Sequence, residues 1–207
     1  MTPRIRSVPQ RLGVFGGTFD PPHRGHLAVA VAARERLGLD RVLLVVANDP
    51  WKKSPERSVT AAADRLALVE ALVRGADGQA LPGLVASDLE IRRGGASYTV
   101  TTLRELAEAH PGAEMFLIIG RDLVDEFASW HESTEIERLA TIVVVDRPGY
   151  SAAVKRGWMS LPVEPVDVSS TELRDQLRAG RDVSAHLTPA VMAEVRARNL
   201  YRVGASA

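Results

Sequence analysis

The chain has 207 residues, with 26 Lys plus Arg against 26 Asp plus Glu, 45% apolar and 25% charged residues, and no cysteine. Balanced charge creates no global field that would gather nucleic acid or an anionic membrane, so any anion site has to be local. The lack of cysteine excludes disulfides, thiolate nucleophiles and cysteine-based zinc or iron–sulfur centres, and the apolar share suffices for a buried core in one α/β domain over 1–207, its body at about 11–202.

The opening residues, Met1 to Arg11, are basic, and no apolar run of signal-peptide or membrane-span length follows them, which points to the cytoplasm and to no membrane partner. Leu12-Gly13-Val14-Phe15 predicts a short strand apolar on both faces, and helical periodicity follows over 25–37. Val42-Leu43-Leu44-Val45-Val46 predicts a second such strand, with a helix over 60–74. Leu84-Val85-Ala86-Ser87 is a weaker strand candidate ahead of a helix over 98–109. Two more buried strands are expected at 115–119 and 141–145. Residues 147–162 read as a loop, Pro165-Val166-Asp167-Val168 is a further strand candidate, and two helices are expected at 170–179 and 188–198. This alternation predicts a doubly wound, mostly parallel α/β sheet with C-terminal helices, whose ligands sit beyond the carboxyl ends of the strands.

Directly after the first strand stands Gly16-Gly17-Thr18-Phe19-Asp20-Pro21-Pro22-His23-Arg24-Gly25-His26. The glycine pair removes side chains where the backbone turns and where a phosphate could approach closely. Asp20 is suited to cap the following helix and Pro21 and Pro22 to its first positions, which puts His23 and His26 at i and i+3 on one face near the helix N-terminus. Free amides and the macrodipole favour an anion there. The string is neither a GxGxxG fingerprint nor a P-loop, and the zinc reading of His-x-x-His lacks a third ligand at helical spacing. Farther on, Ser169 and Glu172 have capping-box spacing, so Ser169-Ser170-Thr171 with Arg174 reads by itself equally as a helix start or as part of an anion site.

These two segments resemble the signature of the nucleotidyltransferase α/β-phosphodiesterase superfamily, its HxGH element being His23-Arg24-Gly25-His26 and its second element Ser169-Ser170-Thr171 with Arg174. Asn48, Ser97-Tyr98-Thr99, Gly120-Arg121-Asp122, Ser129-Trp130-His131 and Arg147-Pro148-Gly149-Tyr150 extend the resemblance, over 11–202, to the bacterial nicotinate-mononucleotide adenylyltransferases. The resemblance implies a Rossmann-like nucleotidyltransferase fold and transfer of an adenylyl group from ATP to nicotinate mononucleotide. It implies that His23, His26 and Arg174 are catalytic, that Gly16, Gly17, Thr18 and Phe19 bring the backbone close to ATP, and that Ser169, Ser170, Thr171 and Arg174 hold its β and γ phosphates. Gly120 and Asp122 fall near the adenosine ribose, and Asn48, Thr99 and Trp130 border the nicotinate ring.

The loop after Asn48 departs from the family pattern, so its substrate-facing base aligns with Lys52 or Lys53. Lys53 is carried over as the phosphate contact beside the alternative of a solvated lysine pair. Magnesium is expected with ATP, and no carboxylate cluster singles out protein ligands for it. Partners expected are the two substrates, no nucleic acid, and a homo-oligomer left open. Two alternatives stand: an adenylyltransferase for nicotinamide mononucleotide or phosphopantetheine, and a non-catalytic nucleotide sensor that kept the fold.

Overall fold

The structure, a computed structural model, describes residues 10–49, 59–146, 153–164 and 168–202. Six strands form one sheet: β1 (Arg11–Gly17), β2 (Arg41–Val46), β3 (Leu84–Ser87), β4 (Glu114–Gly120), β5 (Thr141–Val145) and β6 (Met159–Leu161). They pair in the order β3-β2-β1-β4-β5-β6, and every pair is parallel. The order reverses between β1 and β4, which makes their carboxyl ends the topological switch point. The helices are α1 (Arg24–Arg36), α2 (Ala62–Leu72), α3 (Leu89–Arg93), α4 (Thr99–Ala109), α5 (Ser133–Leu139), α6 (Ser170–Arg178) and α7 (Pro189–Ala197), with short 3-10 turns at Arg121–Leu123 and Phe127–Ser129.

The period-2 alternation of strand side chains sorts the apolar residues onto two faces. Val42, Leu44, Val46, Phe116, Ile118, Val143 and Val145 pack with Ala30 and Ala33 of α1, Leu68 and Leu72 of α2, Leu173 of α6 and Val191 and Val195 of α7. Their neighbours Leu43, Val45, Leu117, Ile119, Ile142 and Val144 pack with Val100, Leu103 and Leu106 of α4 and Ile136 of α5. Both faces are covered, which is why these strands are apolar throughout. Among the described residues no helix is long and apolar enough to cross a membrane.

Two expectations are corrected, and one falls largely outside the described residues. The stretch read as a loop contains β6, which pairs Met159, Ser160 and Leu161 with Val143, Val144 and Val145. Only Leu161 of this edge strand is buried, so three residues with two exposed side chains leave no periodic signal. The strand candidate at Pro165–Val168 falls on residues 165–167, which lie outside the described residues; Val168 itself belongs to no strand. Finally, Asp20 does not cap α1. The helix starts at Arg24 with His23 as its N-cap, because the Asp20 carboxylate is engaged elsewhere, accepting from the Tyr201 hydroxyl.

Candidate active site

The site begins where β1 runs out. A Cβ on Gly17 would lie 2.9 Å from the Phe19 ring, so glycine is required there; one on Gly16 would meet no protein atom within 4 Å, and that exposed backbone is open to close approach. Phe19 has a left-handed backbone, φ 53°, and its ring is buried edge-on against Phe15 and His26 at 5.7 and 5.1 Å. The ring is therefore a wedge under the turn, and what Phe19 can offer a ligand is main chain.

His23 and His26 come together as their spacing predicts, with ring centroids 3.7 Å apart. His23 is buried and His26 half-buried. The His23 amide donates to His26 Nδ1 at 3.1 Å. An accepting Nδ1 puts the ring proton on Nε2, so the tautomer of His26 is set by its own helix start.

The second signature segment docks onto the first across about 150 residues of chain. Ser170 Oγ donates to Pro21 O at 2.9 Å, and Arg174 Nη1 donates to Asp20 O at 2.5 Å and to Ser170 O at 3.2 Å. Ser169 caps α6: its Oγ accepts from the Glu172 amide at 3.2 Å and its own amide donates back to Glu172 Oε2 at 3.0 Å. The N-termini of α1 and α6 are thus held beside one loop, each with the partial positive charge of a helix start. Arg174 is buried and directed at Asp20 and at Thr171 Oγ1 rather than outward.

Asp20 is the buried centre of this arrangement. Tyr201 Oη donates to its Oδ1 at 2.8 Å, the Thr60 amide reaches Oδ2 at 3.4 Å, and Arg174 lies 3.9 Å from Oδ2. Burial and the Asp20 charge both push the Tyr201 phenol up, so it remains a donor. A second buried arginine, Arg65 of α2, sits behind the same loop, its pKa lowered by burial against the opposing pull of Asp20. Around Asp20 itself two guanidiniums face one carboxylate, a local cationic excess in a chain of zero net charge, with the Glu172 carboxylate farther out at the start of α6. That is the local anion field the composition called for.

The residues expected at the acceptor ring come from three loops. Asn48 follows β2: its amide donates to Ser97 Oγ at 2.9 Å, and its side-chain Nδ2 to Gly95 O at 3.0 Å. Those contacts hold it against the stretch 95–97 that leads into Thr99, the first residue of α4. Trp130, half-buried, follows the second 3-10 turn. Tyr98 and His131, the chain neighbours of Thr99 and Trp130, have ring centroids 4.7 Å apart and draw the two loops together. Gly120 closes β4, Asp122 follows it, and Arg121 between them is anchored to Asp146 at the end of β5 through an Nε–Oδ1 bond of 2.7 Å. Lys52 and Lys53 lie outside the described residues. Among the described residues no three His, Asp or Glu converge to hold a metal ion.

Sequence reasoning missed Arg65 and Tyr201. Arg65 carried a signal: it stands at 65 in the stripe completed by Leu68, Val69 and Leu72, a lone charge where helical spacing demands core. Tyr201, near the far end of the chain, carried none.

Residues 14–176 match the family model described as cytidylyltransferase-like. A protein of Corynebacterium kroppenstedtii named "Probable nicotinate-nucleotide adenylyltransferase" is 40% identical over 95% of each chain. A protein of Gloeobacter violaceus with the same name is 39% identical over 96% of this chain and 99% of its own. The solved structure of Plasmodium falciparum nicotinic acid mononucleotide adenylyltransferase complexed with NaAD has the same fold, with a TM-score of 0.78 at 18% identity over 93% of this chain and 97% of that one.

Proposed function

The chain belongs to the cytidylyltransferase-like family and, within it, to the nicotinate-nucleotide adenylyltransferases, and from that premise we propose how its residues carry out the reaction. It is a nucleotidyltransferase that transfers the adenylyl group of ATP to nicotinate mononucleotide, giving nicotinate adenine dinucleotide and pyrophosphate in NAD biosynthesis. A phosphate oxygen of nicotinate mononucleotide attacks the α-phosphorus in line. The new P–O bond forms as the bond to the β-phosphate bridging oxygen breaks, and pyrophosphate carries that electron pair away. No protein nucleophile takes part, so the protein contributes orientation and charge stabilisation.

One observation carries this reading: the docking of Ser170 and Arg174 onto Pro21 and Asp20, beside the paired histidines. It supports a triphosphate lying along the loop of Gly16, Gly17, Thr18 and Phe19, approached at the exposed Gly16 backbone, between the two helix N-termini. His23 and His26 face the phosphates, His26 through its Nε2–H as charge grows on the bridging oxygen. Ser169, Ser170 and Thr171 hold the β and γ phosphates. Arg174 acts from behind: its cationic group keeps α6 seated on Asp20 and adds to the field. Gly120 and Asp122 border the ribose.

The acceptor's electron-poor pyridine ring stacks on Trp130, and its carboxylate meets Asn48 and Thr99. The Asn48 amide has two N–H donors, one given to Gly95 O and the other used here. Lys53 is kept as the contact to the acceptor phosphate. Magnesium enters as the complex of ATP, and among the described residues no cluster of carboxylates and histidines forms a cage of its own for it. The acceptor assignment is tested by pyrophosphate release from magnesium-ATP with nicotinate mononucleotide, nicotinamide mononucleotide or phosphopantetheine. Turnover is expected to be fastest with the first. Turnover confined to either of the others would overturn the pocket assignment, and ATP binding without release in any arm would make the chain a sensor.

A further inference from the structure

Beyond Gly17 and Val46 the parallel ladder of β1 and β2 makes one more bond, from the Ala47 amide to Gly17 O at 3.0 Å, and there the two strands part. The next residues are Thr18, on the ATP loop, and Asn48, on the acceptor loop. Their carbonyl oxygens are captured by one guanidinium: Arg65 Nη1 donates to Thr18 O at 2.8 Å and Nη2 to Asn48 O at 3.2 Å. Its Nε donates to Thr60 O at 2.8 Å, just before α2, while the Thr60 amide reaches Asp20. Arg65 is 1% exposed, the bulkiest of the fully buried side chains.

We propose that Arg65 is a positioning residue that sets the separation of the two substrate loops, extending the ladder past the point where β1 and β2 can pair. This rests on the adenylyl-transfer reading and adds to it a part no signature motif contains. The planar fork is rigid and its donors diverge at fixed angles, so two carbonyls bound to the same guanidinium cannot drift independently. All its hydrogen bonds described above end on main-chain oxygens, which separates it from the groups that touch phosphate. Burying a charge is costly, and a methionine in this stripe would pack well; what it would leave behind is three unsatisfied carbonyls and two unlinked loops. In-line attack demands near-contact of acceptor oxygen and α-phosphorus, and a shift of about 1 Å costs on the order of 10²-fold in rate.

The test is Arg65→Lys, whose single ammonium cannot span the same three carbonyls. With each substrate varied in turn, KM for ATP and for nicotinate mononucleotide should stay near the wild-type values while kcat falls by about 10²-fold. A folded variant with wild-type kcat overturns the proposal, as does a loss appearing only in KM. If Arg65→Lys is too unstable to assay, Arg65→Ala with millimolar guanidinium decides: recovered turnover supports the strut, and no recovery contradicts it. The wild-type enzyme in the same assay keeps the two readings apart, since its failure to turn over would sink the adenylyl-transfer assignment and leave Arg65 aside.

Discussion

His26 shows how a single side chain is prepared before any substrate arrives. Its Nδ1 accepts from the His23 amide, so Nε2–H is the donor the neutral ring can bring to a phosphate oxygen. His26→Ala should lower kcat by about 10²–10³-fold, the scale for one preorganised donor to developing charge, with the circular dichroism spectrum unchanged. Near-normal turnover would remove its role. For Trp130, flanked by Phe127 at 5.2 Å, truncation to Ala should raise the KM for nicotinate mononucleotide far more than that for ATP. Equal changes in both would make it a packing residue. The closeness of the two histidines was legible from their spacing, although His23 meets His26 as the N-cap of α1 and not from within the helix. The role of Phe19 was half legible, since the motif implied close backbone approach and gave no hint that a positive φ turns the ring into the core.

At the scale of elements, α6 has a short sequence signature and a long-range consequence. The Ser169–Glu172 box could be read from spacing alone, whereas the bond from Ser170 to Pro21, 149 residues away, could not. Ser169→Ala should cost about 1 kcal/mol in urea unfolding and raise the KM for ATP, because the end of the helix that frays is the end facing the phosphates. An unchanged KM would detach α6 from the triphosphate. Helices such as α1 and α4 emerged within two residues of their predicted bounds. What escaped were the short helices α3 and α5 and elements defined by partners: β6, which exists because β5 offers an edge, and the N-cap of α1, displaced from Asp20 because Tyr201 already holds that carboxylate.

Across the whole molecule, Asp20 and Tyr201 join the first loop to the last turn, 181 residues apart. Tyr201 adopts φ 61°, a conformation a bulky residue accepts at a cost of roughly 1 kcal/mol, and its buried hydroxyl offsets that by satisfying a charged acceptor. Tyr201→Phe should lower stability by about 2 kcal/mol, seen as a fall in Tm of about 4–8 °C for a chain of this size. An unaltered Tm would show that Asp20 finds another donor. Such contacts are the part of the site no local pattern can reveal, because each partner looks ordinary in its own segment. The central claim is that two substrates held on neighbouring loops react directly, with no covalent stop on the protein. It is tested most directly by running the reaction with nicotinate mononucleotide and ATP made chiral at a sulfur-substituted α-phosphorus, then reading the configuration of the dinucleotide formed. Inversion is the predicted result; retention, or no dinucleotide at all, would contradict it.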